Sequence, residues 1–172
     1  MRLPSSSDWS GTCGFRLYPT DDFSSGPSLA LLTPVAGGAA LALDYTWRHP
    51  EQGEQAGHLV LSRADDDGTV TAAWTDSFHQ APEVRTLRGT AGDGMSEGTA
   101  NAIADGVPAG HPVAGEGVAV GMEYSGWGWT VAVRLQGGTL AMVMQNVVPA
   151  GVEGADPGPY DAMRAAWTRT DA

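Results

Sequence analysis

The stretch Ala39-Ala40-Leu41-Ala42-Leu43-Asp44-Tyr45-Thr46-Trp47-Arg48 decides the fold. Its odd positions, Ala39, Leu41, Leu43, Tyr45 and Trp47, are apolar or aromatic. Its even positions, Ala40, Ala42, Asp44, Thr46 and Arg48, are small or polar. A period of two belongs to a strand with one face on a core and the other in water; a helix brings its apolar residues back every three or four positions.

The same period extends in both directions. Segment 9–18 sets Trp9, Gly11, Cys13, Phe15 and Leu17 against Ser10, Thr12, Gly14, Arg16 and Tyr18. Segment 28–33 is a short apolar run before the turn residues Val35-Ala36-Gly37-Gly38. Segments 57–63 and 69–79 flank Asp65-Asp66-Asp67-Gly68, whose Asp-Gly pair signals a hairpin. Within 69–79, Val70, Ala72, Trp74, Asp76 and Phe78 share one phase. Weaker strands at 83–91 and 94–103 surround Gly92-Asp93-Gly94, and the prolines and glycines of 104–116 make a loop. Segments 117–125, 127–135, 139–148 and 160–169 complete the series, with Gly126 and Gln136-Gly137-Gly138 as turns. Helical periodicity is weak, with only Asp156–Arg164 and a short turn at Asp21–Ser25 as candidates.

About ten short strands joined by tight turns predict an all-β antiparallel meander. A meander of that length leaves costly unpaired edges unless it closes. The expected architecture is therefore one β-barrel domain over residues 1–172, with little helix.

Composition narrows the chemistry. The 172 residues carry nine arginines, no lysine and 20 acids, for a net charge of −11. Without lysine there is no Walker A lysine, no Schiff base and no pyridoxal-phosphate anchor. The acidic balance argues against a nucleic-acid partner, which needs clustered positive charge, and favours a monomer or small homo-oligomer. One cysteine, Cys13, excludes an internal disulfide and a Cys-x-x-Cys pair. No run of about 18 apolar residues suggests a membrane helix. Met1 to Asp8 lacks an apolar signal core, so a cytoplasmic location is expected. The Ala- and Gly-rich, Lys-free composition is that of a GC-rich bacterial genome.

The order of short motifs carries a resemblance. Trp9-Ser10-Gly11 begins the chain, and Ser28 to Pro34 leads into Leu43-Asp44-Tyr45-Thr46-Trp47. Gly57-His58-Leu59-Val60-Leu61, Trp74-Thr75-Asp76-Ser77-Phe78-His79 and a closing Trp167-Thr168-Arg169 follow. This order resembles the small bacterial calycin-like proteins of the DUF1579 kind, relatives in shape of the lipocalins and fatty-acid-binding proteins. The resemblance covers most of the chain and implies a barrel of eight to ten strands with an interior cavity. It implies no activity. The Trp-Gly-x-Gly start of the haem-binding nitrobindins is a looser comparison. Here that stretch reads Trp9-Ser10-Gly11-Thr12-Cys13-Gly14, and no histidine stands near the C-terminus as an axial ligand, so no cofactor is expected.

The densest candidate for chemistry is Trp74 to His79. Asp76 shares the phase of two aromatics, so it points inward and needs either a raised pKa or a dedicated partner. Arg85, Arg88, Arg134 and Arg164 are available partners. His79, on the other phase, belongs at the barrel mouth. The bland reading is a structural aspartate and a rim histidine. Tyr45, Trp47, Trp74, Tyr124, Trp127 and Trp129 either wall a cavity or fill it. Of Gln145 and Asn146, one must point inward and needs a partner or ligand; Glu123 beside Tyr124 is equally ambiguous.

The remaining motifs are weaker. Gly94-Met95-Ser96-Glu97-Gly98, with Asp105 and His111 following, matches a nucleophile elbow in letters, but no helix follows it. A metal would need a non-local set such as His58, Asp76 and His79. Asp65 to Gly68 lacks the later Glu of a calcium loop and reads as a solvated turn. Cys13, in phase with Phe15, reads as a buried small hydrophobe. The leading expectation is non-catalytic binding of a small hydrophobic or aromatic molecule, oriented by Asp76, His79, Arg88 and Gln145 or Asn146. The alternatives are an enzyme using Asp76 or His79 as acid or base, and a packed barrel that serves as an interaction module.

Overall fold

A computed structural model of the chain describes residues 6–92, 113 and 117–170. Among these residues ten strands follow one another in chain order. They are β1 (Ser7–Phe15), β2 (Ser24–Val35), β3 (Ala40–His49), β4 (Gly53–Ser62), β5 (Thr69–Asp76), β6 (Arg85–Ala91), β7 (Val118–Tyr124), β8 (Trp127–Gln136), β9 (Thr139–Val148) and β10 (Gly158–Arg169). Each pairs antiparallel with the next, and β10 pairs with β1, so the sheet closes into a barrel. A 3-10 turn at Ala36–Gly38 joins β2 to β3. Among the described residues no helix is long and apolar enough to cross a membrane.

The alternation read from 39–48 is observed from Leu43 onward, while Ala39 lies before the strand and is exposed and Ala42 is buried. Leu41, Leu43, Tyr45 and Trp47 are buried at 2% exposure or less, while Asp44, Thr46 and Arg48 face out. Asp65 caps its turn as expected, its Oδ1 accepting from the N–H of Asp67 at 3.0 Å and of Thr69 at 2.8 Å. Both helix candidates are corrected. Asp156–Arg164 enters β10 from Gly158 onward, because strands lie on both sides to take its backbone hydrogen bonds. Asp21–Ser25 is non-helical and runs into β2. Leu17, placed on the inner phase of 9–18, lies past the end of β1 and is 45% exposed. The expected strand at 94–103 and the elbow around Ser96, with Asp105 and His111, lie outside the described residues.

The barrel interior is divided along its axis. One end is mainly aliphatic, with Leu32, Leu41, Leu61, Val70, Val118, Leu135 and Leu140 all at 1% exposure or less and the buried Trp167 opposite Leu140. At the other end β3 and β5 finish with His49 and Asp76, both buried, beside the aromatic rings of Phe15 and Trp47. Close backbone approach governs one wall. A Cβ on Gly11 would sit 2.0 Å from the carbonyl oxygen of Ala166, so only glycine lets β1 approach β10 there. In β10 the register shifts between Asp161 and Met163; the extra residue, Ala162, is buried together with Met163.

Candidate binding site at the polar end of the barrel

Three adjacent strands build the site in one layer. Tyr45 of β3 lies opposite Gly57 of β4, and Gly57 lies opposite Asp76 of β5. With no side chain on the middle strand, the tyrosine ring reaches across it. A Cβ on Gly57 would fall 2.1 Å from both Cζ and the hydroxyl oxygen of Tyr45. The hydroxyl donates to Asp76 Oδ2 at 3.0 Å and accepts from Trp74 Nε1 at 2.9 Å. Trp47 Nε1 donates to the same Oδ2 at 3.1 Å.

The other carboxylate oxygen folds the chain. Asp76 Oδ1 accepts from the backbone N–H of Phe78 at 2.9 Å and of His79 at 3.1 Å, and from His79 Nδ1 at 3.1 Å. Backbone N–H groups of Gln80 and Ala81 close onto the Asp76 carbonyl at 3.1 and 2.9 Å. This Asx-type turn ends β5 and swings the side chains of Phe78 and His79 back over the interior. The phase argument that put His79 on a rim therefore stops at Asp76. The His79 side chain is 13% exposed and that of Asp76 is 0% exposed. The partner of Asp76 is also corrected: its side-chain donors are Tyr45, Trp47 and His79 rather than an arginine.

Rings enclose the pair. The imidazole of His79 stacks on Trp47 at 5.4 Å and 27°. It lies 5.1 Å from Trp129, 5.0 Å from Phe78 and 5.5 Å from Phe15. Trp129 in turn stacks on Trp74 at 5.3 Å and 11°. Phe78 packs on His49 at 4.6 Å.

The electrostatics follow from this enclosure. Burial pushes the Asp76 carboxyl up. The hydrogen bond and charge of His79, with the backbone N–H groups of His79 and Phe78, outweigh burial and hold it below its ordinary 3.8. Burial first and the Asp76 charge second push the Tyr45 hydroxyl well above 10, so it stays a neutral donor. The same two causes push the Cys13 thiol up to about 12, and it is buried and unpaired, as a small core hydrophobe should be.

Two N–H groups at this end are buried without a partner among the described residues. His49 Nδ1 accepts from the backbone N–H of Glu51 and of Gln52, each at 3.1 Å, which places the ring proton on Nε2. That Nε2 meets no acceptor, and neither does Trp129 Nε1. Buried donors are nearly always paired, so each points to a partner that the described residues do not supply.

Of the residues singled out from the sequence, Tyr45, Trp47, Trp74, Asp76, His79 and Trp129 come together here. The others do not. Arg88 faces out on β6 and is exposed. Tyr124 is 56% exposed, with the Arg85 guanidinium 4.3 Å over its ring, and the half-buried Trp127 pairs with it across the β7–β8 hairpin. Gln145 donates to Asp161 Oδ1 at 2.8 Å, and Asn146 donates to the Tyr160 hydroxyl at 3.2 Å. Glu123 is exposed. The non-local metal set does not assemble: His58 faces out and meets Asp44 at 2.7 Å, on the opposite side of the sheet from Asp76. Among the described residues no group of three His, Cys, Asp or Glu could hold a metal ion.

Sequence reasoning missed His49, Phe15 and Gly57 as parts of the site, and placed Phe78 inward beside Asp76 without making it a binding residue. His49 continues the 45, 47 phase by one more step, and that signal was available. Gly57 becomes meaningful only once the register is known. No family model matches the chain, and a search of curated proteins finds no match either.

Proposed function

We propose that this protein binds a small, largely aromatic or hydrophobic molecule at the polar end of its barrel. The observation that carries this reading is the pair of buried, unpartnered donors, His49 Nε2 and Trp129 Nε1, beside an imidazole fixed by Asp76. Tryptophan faces supply burial, and a few N–H groups supply orientation, the usual composition of a small-molecule site. The resemblance to calycin-like barrels supports the same reading. The cytoplasm is the proposed compartment, which the buried, unpaired Cys13 supports.

Native and denaturing mass spectra of freshly purified protein test it. The expected result is a native mass excess that vanishes on denaturation, or quenching of tryptophan fluorescence by small aromatic probes. The absence of both effects in a folded sample removes the reading.

One observation favours a second reading, acid–base catalysis in the same barrel. Asp76 accepts from His79 Nδ1, which fixes the tautomer and directs Nε2 away from the carboxylate, the arrangement of a general base. Turnover lost in His79→Gln while a bound probe is retained would select it.

A further inference from the structure

His79 is a side chain occupying a place with the chemistry of a ligand site. Its planar ring, with an N–H directed at a carboxylate, lies among Trp47, Trp129, Phe15 and Phe78. Remove the ring and what is left is an aromatic box with a fully enclosed carboxylate at its base. Aromatic faces attract cations through their quadrupoles, and most strongly where water is excluded. A carboxylate oxygen that loses its side-chain donor needs another one. The chain's net charge of −11 adds a long-range attraction of the same sign.

We infer that the polar end of the barrel is a site for a small planar cation bearing N–H groups, an amidinium or imidazolium, and that His79 is its built-in occupant, displaced when such a ligand enters. This rests on the small-molecule-binding reading for the place alone: the rings and Asp76 hold the cation, and His49 Nε2 and Trp129 Nε1, which need an acceptor, take no part in holding it. The route is short. The His79 side chain is at the solvent boundary with 13% exposure, so a change of its rotamer clears the site while the backbone turn on Asp76 Oδ1 stays in place. Trp47 then stacks on the ligand with Trp129 beside it, and Asp76 Oδ1 accepts its N–H.

The test compares benzamidine, a planar cation at neutral pH, with neutral benzyl alcohol. Both are titrated by tryptophan fluorescence into wild type, His79→Ala and the double variant His79→Ala/Asp76→Asn. The expected result is that His79→Ala binds benzamidine at least about tenfold more tightly than benzyl alcohol. Wild type binds benzamidine more weakly than His79→Ala, because the ligand must first displace the imidazole. The double variant loses the preference for the cation. Equal binding of the two probes overturns the cation inference and leaves the small-molecule reading standing. Binding of neither probe by folded protein overturns both. If His79→Ala does not fold unaided, refolding with imidazole against refolding with cyclopentanol decides the point: recovery with imidazole alone upholds the site, and any other outcome overturns it.

Discussion

Replacing Asp76 by Asn exchanges one buried oxygen for an NH2 group in a place where every neighbour is a donor. If the amide keeps its oxygen towards the turn, the three bonds to Oδ1 survive in neutral form. Its NH2 then meets the Tyr45 hydroxyl and Trp47 Nε1. The hydroxyl can rotate and accept, since Trp74 uses only one of its lone pairs, but its own proton then loses its acceptor. The indole N–H of Trp47 has no such freedom. The Tyr45 and Trp47 donors and the second N–H of the amide are thus left unpaired, at about 1–3 kcal/mol each, and relief from burying a charge offsets part of this. The net expectation is about 3 kcal/mol of destabilisation. For a domain of this size that lowers Tm by about 6–12 °C, which near-UV circular dichroism of the tryptophans at pH 7 would record. A Tm within about 2 °C of wild type, or above it, would refute the account of Asp76 as the acceptor that holds this end together.

Three further outcomes follow from the same geometry. Because Asp76 is held below 3.8, its contribution is complete above that value and is lost as pH falls through the lowered folded value. The Tm gap between wild type and Asp76→Asn should stay level from pH 7 to about 4 and narrow below that; a gap unchanged down to pH 2 contradicts the assignment. Gly57→Ala should destabilise by at least about 2 kcal/mol in urea unfolding, since its Cβ displaces the Tyr45 ring from Asp76; a neutral effect would mean the ring does not cross Gly57. Cys13, buried and with its thiol pushed up to about 12, should resist Ellman's reagent at pH 8 in the native state and react once unfolded; fast native labelling would contradict its burial.

How much was legible in the sequence differed by element. Where a strand has one buried face, alternation alone places it: 39–48 and 139–148 match Ala40–His49 and Thr139–Val148 closely. The inward aim of Asp76 followed from its phase with Trp74, for the same reason. Legibility ended where a side chain, and not the sheet, directs the backbone. Asp76 captures the N–H groups of Phe78 and His79, so residues after it obey a turn and not a period of two. The residues of 156–164 include good helix formers, but pairing with β1 and β9 overrides that preference. The choice of Tyr45 and Trp47 over arginine as partners of Asp76 was invisible, because it depends on which strands are neighbours and on a missing side chain at Gly57.

The way the sheet closes also bears on how the molecule forms. Nine of its ten strand pairings join neighbours along the chain, so each hairpin can form as soon as its second strand exists. The tenth joins β1 to β10 and brings Asp8 against Thr170, 162 residues away. On a ribosome the first strand waits with one edge unsatisfied until the last has been made, which is the interval in which such an edge pairs with another chain. The seam also brings both ends of the sheet side by side. A short linker joining them, with new ends cut at Gln136-Gly137-Gly138, would keep every strand pairing except one hairpin connection. Such a permuted chain would turn the slow, distant closure into a local one and move the vulnerable gap to the β8–β9 seam, two strands away.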